Sequence, residues 1–309
     1  MSLLIRLALL MLAAGLLSDG TCLRATEFAG DFEELGASAR ALGLGNAGVA
    51  LASDASAIYY NPALCSRFAR KGAEFLHSED FAGLVRHNYV AVVFPTRPQA
   101  FGFAVLQNWI PDIKLTEWDS AAGRPRVSRI VDATQTVAYV CYSRSPATWL
   151  ALGGNAKVIY QNLGGTGSCF GMGLDMGLAI TPQPDITVGV RVRNASTSPL
   201  FWDTGTREVV SPAVSAGFAK TLTLGRDRLT AAMGVETDFF SPALLPQLGL
   251  EYVFRNVLSG RIGSYRGNLA FGAGIRFGRF HVEYGYAAGA APGARELGSP
   301  QQLSGGVEF

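Results

Sequence analysis

Histidines, cysteines and clustered carboxylates are the residues of this chain that could carry chemistry, and their spacing points away from catalysis. His77, His87 and His281 are scattered and form no H-E-x-x-H pair, the arrangement that would put two imidazoles on one zinc. No G-x-S-x-G elbow is present to expose a serine nucleophile. Asp175, Glu236 and Glu251 could be brought together as an acid and a base, but pairing with neighbouring bases is the commoner role of such groups. Past the first residues the cysteines are Cys65, Cys141 and Cys169, an odd number with no C-x-x-C spacing. That pattern gives neither a disulfide framework nor a zinc site, so they read as isolated small apolar residues. Gly43-x-Gly45-x-x-Gly48 matches the dinucleotide fingerprint by letter. The fingerprint works only after a strand and within a βαβ unit, and neither precedes it here. The expectation is no enzyme, no cofactor and no metal.

The bulk composition narrows the class. Of 309 residues 49% are hydrophobic and 16% charged, and mean hydropathy is +0.21. A quarter charged is usual for soluble domains, so the balance leans toward a membrane. Past residue 25 there is no run of about 18 apolar residues, so no helix can span a bilayer. Net charge is +2, which suggests no nucleic-acid partner. The start has its own character. Arg6 precedes an unbroken run of Leu, Ala, Met and Gly from Leu7 to Leu17, followed by small and polar residues. That is the layout of a secretory signal peptide, and residues 1–25 are assigned to it. Asp19-Gly20-Thr21 before Cys22 fits a lipoprotein signal poorly.

From about residue 73 the period is two. Leu248, Leu250, Tyr252 and Phe254 alternate with Gly249 and Glu251; Phe280, Val282, Tyr284 and Tyr286 alternate with His281, Glu283 and Gly285. Fourteen such segments start near residues 73, 86, 99, 132, 148, 168, 185, 211, 228, 246, 257, 268, 279 and 300. Most have the length of about ten residues that a tilted strand needs to cross a bilayer, and the count is even, as in single-chain bacterial barrels. Connections tend to alternate in length, the ninth and eleventh being only moderate. Pro95–Pro98, Ser143–Ala147, Thr181–Pro184, Arg255-Asn256 and Gly278-Arg279 are short, whereas Trp109–Ile130, Asn194–Val210 and Ala288–Ser299 are long. The face opposite the apolar one carries Lys157, Asp175, Arg191, Arg193, Glu236, Asp238, Glu251, Arg261, Arg276 and Glu283 among Gly and Ala. In a barrel these charges point into a wet lumen while the apolar face meets lipid. The 37 glycines spread along the chain suggest tight bends or close backbone approach. Alternation runs to the aromatic Phe309, similar to the terminal strand read by barrel-insertion machinery. The expected fold is all-β, a 14-stranded antiparallel transmembrane β-barrel over residues 73–309, in a bacterial outer membrane.

Residues 28–71 do not alternate. They are rich in Ala and Gly, with short helical pieces broken by glycine. The block Gly36-Ala37-x-Ala39-Arg40-Ala41-x-Gly43-x-Gly45, the run Ala52-x-Asp54-Ala55-Ser56-Ala57 and the triplet Asn61-Pro62-Ala63 resemble the N-terminal hatch of FadL-like outer-membrane proteins. That superfamily includes long-chain fatty acid and aromatic hydrocarbon transporters and the PorV/PorQ proteins, and the details here are nearest the PorV-like and spirochaetal branch. The resemblance implies a partly helical hatch over residues 26–72 that fills the lumen, with Gly43, Gly45, Asn61, Pro62 and Ala63 as its motif. It also implies passive transport of a hydrophobic small molecule such as a long-chain fatty acid. Phe28, Phe32, Leu35, Tyr59 and Tyr60 would then line the pocket, with Phe101 and Phe103 on the third strand, where relatives open the wall. The outer loops are shorter than in typical transporters, which puts a large capture groove in doubt. A second expectation is a scaffold or shuttle barrel bound by secretion-system proteins at the long loops. A non-selective porin is a third, and the size of the hatch speaks against it.

Overall fold

The computed structural model describes residues 30, 33–81, 83–238, 244–265, 267–288 and 299–309. The leader assigned to residues 1–25, together with Phe28 and Phe32, lies outside the described residues, as do Asp238 as a side chain and most of the connection after Ala288.

The chain from Gly72 onward is built of antiparallel strands. They are β1 (Gly72–Asp80), β2 (Val85–Thr96), β3 (Gln99–Asp119), β4 (Arg124–Ala147), β5 (Leu150–Leu163), β6 (Ser168–Gln183), β7 (Ile186–Arg193), β8 (Ser198–Trp202), β9 (Arg207–Val210), β10 (Ala213–Leu224), β11 (Asp227–Asp238), β12 (Leu245–Phe254), β13 (Leu258–Tyr265), β14 (Asn268–Phe277), β15 (Phe280–Ala287) and β16 (Gln301–Glu308). Fourteen of them close into a barrel, because β1 pairs with β16, β5 with β6, and β7 with β10. Only β8 and β9 stand outside the ring, as an inserted hairpin hung on β6. Closure leaves the ring no open edge. The seam runs from Gly72 opposite Glu308 to Glu79 opposite Gln301, and Phe309 N–H donates to Lys71 C=O at 2.9 Å.

Alternation sorts each strand into an inner and an outer face. Phe75, Val90, Val140, Val158, Met176, Leu250, Phe271 and Val282 all point out and are exposed, a continuous apolar belt of the kind that only lipid covers. No helix among the described residues is long and apolar enough to cross a membrane. At one end the strands join through tight turns. Arg255 and Asn256 take φ of 50° and 57°, the left-handed pair that a two-residue hairpin turn requires, and Val257 N–H returns to Phe254 C=O.

The other end differs from the expectation in two places. Trp109–Ile130 is not a loop: β3 and β4 run on as a ribbon beyond their neighbours, since β2 stops pairing at Trp109 and β5 at Ala133. Ten residues from Ile110 to Asp119 carry the ribbon roughly 30 Å past the rim. Its register sets Glu117 opposite Arg126 and Asp119 opposite Arg124, while Trp118 meets Pro125. Opposite charges facing each other support strand pairing. The prolines and charges that read as loop are therefore compatible with a ribbon, with the ladder slipping at Ile110/Ile113 around Pro111. Asn194–Val210 likewise folds back as β8 and β9 rather than staying open, and Ser198 and Leu200 are fully buried against the lumen.

Candidate functional site: the plugged lumen

Residues 33–68 lie inside the barrel. They form helix α1 (Ala39–Gly43), helix α2 (Ala57–Tyr60) and a 3₁₀ helix (Pro62–Arg67), joined by turns. None is long enough to be stable alone. What holds them is the wall, in three ways.

The first is backbone contact made possible by glycine. Gly43 packs on Gly272, where a Cβ would lie 2.8 Å from the opposing Cα. A Cβ at Gly263 would lie 2.5 Å from the Leu44 carbonyl carbon, and one at Gly249 the same distance from the Leu44 oxygen. Gly189, Gly285 and Gly153 meet Val49, Ala39 and Pro62 in the same manner. The plug thus rests on a girdle of wall positions that have no side chain. The strand glycines predicted from composition mark close approach, as expected.

The second is hydrogen bonding to the plug's irregular backbone. An unpaired buried carbonyl would be costly, so each must find a donor. Gln302 Nε2 donates to Leu35 O at 2.7 Å, His87 Nε2 to Gly36 O at 2.6 Å, Tyr89 Oη to Ala55 O at 3.1 Å and Asn155 Nδ2 to Ile58 O at 2.7 Å. Ser143 Oγ serves Ala63 O at 2.8 Å and Arg191 serves Tyr59 O at 2.8 Å. His87, which the sequence left without a role, is a plug anchor. Asn61 holds the seam from the other side: its Nδ2 reaches Val49 O at 2.9 Å and Leu178 O at 3.0 Å, and its Oδ1 caps the 3₁₀ helix through Ala63 N–H.

The third is buried charge. Glu33 and Lys157 are fully buried, with Nζ 2.7 Å from Oε1 and 2.9 Å from Oε2. The same ammonium lies 3.1 Å from Asp175. Tyr139 Oη and Asn194 Nδ2 complete the shell around the Glu33 carboxylate at 3.0 and 3.3 Å. Nearby, Arg191 and Arg193 share Glu236 at 3.2 and 3.0 Å. On the opposite wall Arg40 of the plug grips Glu251 through two bonds of 2.9 and 2.7 Å, and Arg261 bridges Glu251 to Glu283. The inward charges are those expected, but the wet lumen is not. The plug covers most of them, and they pair with it and with one another, from full burial at Lys157 to 15% exposure at Glu236. Among the described inward charges Arg276, paired with Glu308 at 2.7 Å near the tight-turn end, is the most exposed, at 42%.

A cavity of about 450 Å³ remains inside. It opens at the tight-turn end between the plug (Leu51–Ala55, Leu64–Arg70) and the wall residues Asp185, Thr230, Glu251 and His281. Its lining mixes both signs of charge. Among the described residues no cluster of three His, Cys, Asp or Glu side chains could hold a metal.

The residues expected to bind ligand fall into separate places. Tyr59 and Tyr60 are buried in the plug core, edge to face with ring centroids 4.8 Å apart. Burial pushes the Tyr60 phenol well above its ordinary range, so it stays protonated and donates to Asn46 Oδ1 at 2.8 Å. Leu35 is half-buried beside them. Phe101 and Phe103 point out of the barrel, 44% and 52% exposed, and do not meet the tyrosines. The alternation on β3 puts Gly102, not its neighbours, against the plug residue Ile58. Gly43, Gly45, Asn61, Pro62 and Ala63 all lie on the seam, so the motif is a docking surface within the chain. Sequence reasoning missed Glu33. Its signal was present: a carboxylate in an Ala- and Gly-rich stretch, with an inward lysine at position 157 to receive it.

No known family profile matches the sequence, and no curated protein is similar to it. Solved structures do share the fold. A "TodX deltaS2S3 mutant monoaromatic hydrocarbon channel" superposes with a TM-score of 0.56 at 10% identity, over 88% of this chain and 98% of that one. The "CymD monoaromatic hydrocarbon channel" gives 0.56 at 11%, over 89% and 98%. A Pseudomonas aeruginosa FadL homologue gives 0.55 at 10%, over 88% and 98%.

Proposed function

We propose, from a barrel that shares the fold of FadL-type channels, that this protein lets hydrophobic small molecules such as long-chain fatty acids pass passively across a bacterial outer membrane. The observation that carries this reading is the plug. Glu33 to Arg67 fills a 14-stranded barrel with buried contacts on every side, which is incompatible with an open aqueous pore. A polar solute would need that water path. An apolar one needs only a transient shift of the plug and a surface to follow, and the cavity beneath the plug offers it room on the far side. The named solved structures, two of them described as monoaromatic hydrocarbon channels, support the same class of cargo. Labelled oleate and toluene should equilibrate faster into liposomes containing the purified barrel than into empty ones. Equal rates for both solutes would remove this reading.

The ribbon favours a second reading, a scaffold barrel gripped by secretion-system proteins. Trp118, Val127 and Ile130 lie on one face of it, 67%, 49% and 56% exposed. A projecting two-stranded ribbon is marginally stable unless something packs on it. If the scaffold role holds, large secreted proteins co-purify with the full chain and are lost when residues 113–130 are replaced by a short turn. Recovery of bare barrel from both would count against it.

A further inference from the structure

The Sγ atoms of Cys65 and Cys141 lie 3.9 Å apart, and both residues are fully buried. Cys65 belongs to the 3₁₀ helix at the end of the plug, and Cys141 belongs to β4 in the wall. The two backbones are held in place on either side of the pair. Ser143 Oγ bonds Ala63 O at 2.8 Å and accepts from Ser66 N–H at 3.1 Å, while the Ser66 and Ser145 hydroxyls meet at 2.8 Å. A disulfide needs its sulfurs about 2.0 Å apart, so the two thiols must approach by roughly 1.9 Å from their 3.9 Å separation to bond. All three described cysteines, Cys65, Cys141 and Cys169 on β6, are buried free thiols in the structure.

We propose that Cys65 and Cys141 are a disulfide site that staples the plug to the wall. The Cys65 thiolate attacks the disulfide of an exported thiol–disulfide oxidoreductase and displaces one of its sulfurs as a thiolate. The Cys141 thiolate then attacks the Cys65 sulfur of that mixed disulfide, forms the Cys65–Cys141 bond and releases the second sulfur. Two electrons and two protons pass to the oxidant, which leaves as a dithiol. Both sulfurs are sealed in the finished barrel, so the exchange belongs to assembly, as the plug enters. The staple fixes the 3₁₀ helix to β4. On the transport reading above, any displacement of the plug is then confined to residues before Cys65.

The test is a peptide map of the full chain, isolated from membranes without reductant and denatured in iodoacetamide. The expected result is one cross-linked pair of peptides carrying Cys65 and Cys141, with Cys169 alkylated. Refolding in a glutathione redox buffer should give the same map. Protein refolded with reductant should unfold at a lower temperature than cross-linked protein, whereas Cys141→Ser refolded with or without reductant should give one midpoint. Alkylation of both Cys65 and Cys141 in membrane-derived and refolded protein, or a cross-link from either to Cys169, overturns the proposal. A barrel that carries the cross-link but moves no oleate would sink the transport reading and leave the staple standing.

Discussion

Gly263→Leu is expected to unseat the plug and turn a silent barrel into a conducting one. Gly263 lies on the inner face of β13, against the backbone of Leu44 and Gly45. A Cβ there would meet main-chain atoms, not the far end of a flexible side chain, so no rotamer change relieves it. Core overpacking typically costs about 1–3 kcal/mol when neighbours can shift. Here the neighbour is a rigid turn, and the part of the plug around Leu44 must move off the wall. The wall itself should close normally, because β13 keeps its ladder to β12 and β14. The control is Gly260→Leu on the same strand, where an added Cβ meets nothing within 4 Å. In planar bilayers the native protein and Gly260→Leu should stay closed while Gly263→Leu shows steady current. Limited proteolysis should then cut the variant within residues 33–71 and spare the other two. A folded Gly263→Leu barrel with a protected plug and no current would refute the backbone-seam account.

Lys157→Met should be the most destabilising single change in the lumen. Lys157 is the one ammonium between two buried carboxylates, Glu33 and Asp175, at 2.7 and 3.1 Å. Methionine keeps the stem and removes the charge. Leaving buried charge uncompensated typically costs about 3–5 kcal/mol. The converse change, Glu33→Ala, should cost less, about 1–3 kcal/mol, because the lysine keeps Asp175 as its partner. The asymmetry is the test. Denaturant midpoints of the folded barrel should fall in the order native, Glu33→Ala, Lys157→Met. Equal losses, or a larger loss for Glu33→Ala, would mean that packing of the plug's first turn matters more than charge balance. The plug should also become protease-sensitive in Lys157→Met before the wall unfolds.

Much of the wall was legible because its code is local. One residue in two faces lipid; a half-solvated soluble sheet alternates as well, and it was the ten-residue strand length and the connection lengths that pointed to a membrane wall. The alternation in Gln247–Phe254 and Arg279–Tyr286 placed β12 and β15 to within about two residues. The even strand count then required β1 to meet β16, as it does. The ribbon was harder to read. Its apolar residues Trp118, Val127 and Ile130 come to one face only when the two strands pair, so neither strand alone alternates cleanly, and Pro111 and Pro125 suggest a break. What makes it a strand pair is the facing of Glu117 with Arg126 and Asp119 with Arg124, a relation between positions that one strand alone does not display.

The plug shows the limit more sharply. Its composition and its triplet Asn61-Pro62-Ala63 told that a compact non-strand segment precedes the wall. They did not tell that Glu33 would meet Lys157, that His87 would hold Gly36, or that Cys65 would face Cys141 across 76 positions of chain. Those pairings depend on the angular position of each strand around the ring and the depth of each residue along it, and both are set only when the barrel closes. The aromatic pair Phe101 and Phe103 makes the same point in reverse. As residue types they suit a greasy pocket, but the inward position beside them belongs to Gly102, whose missing side chain admits Ile58. By itself the sequence determined a membrane-facing, even-stranded wall and a segment unlike it, because lipid imposes a one-residue alternation that survives in the order of letters. The tertiary structure decided which charges are buried, which carbonyls are satisfied and what the lumen holds, because those depend on contacts between residues far apart in the chain.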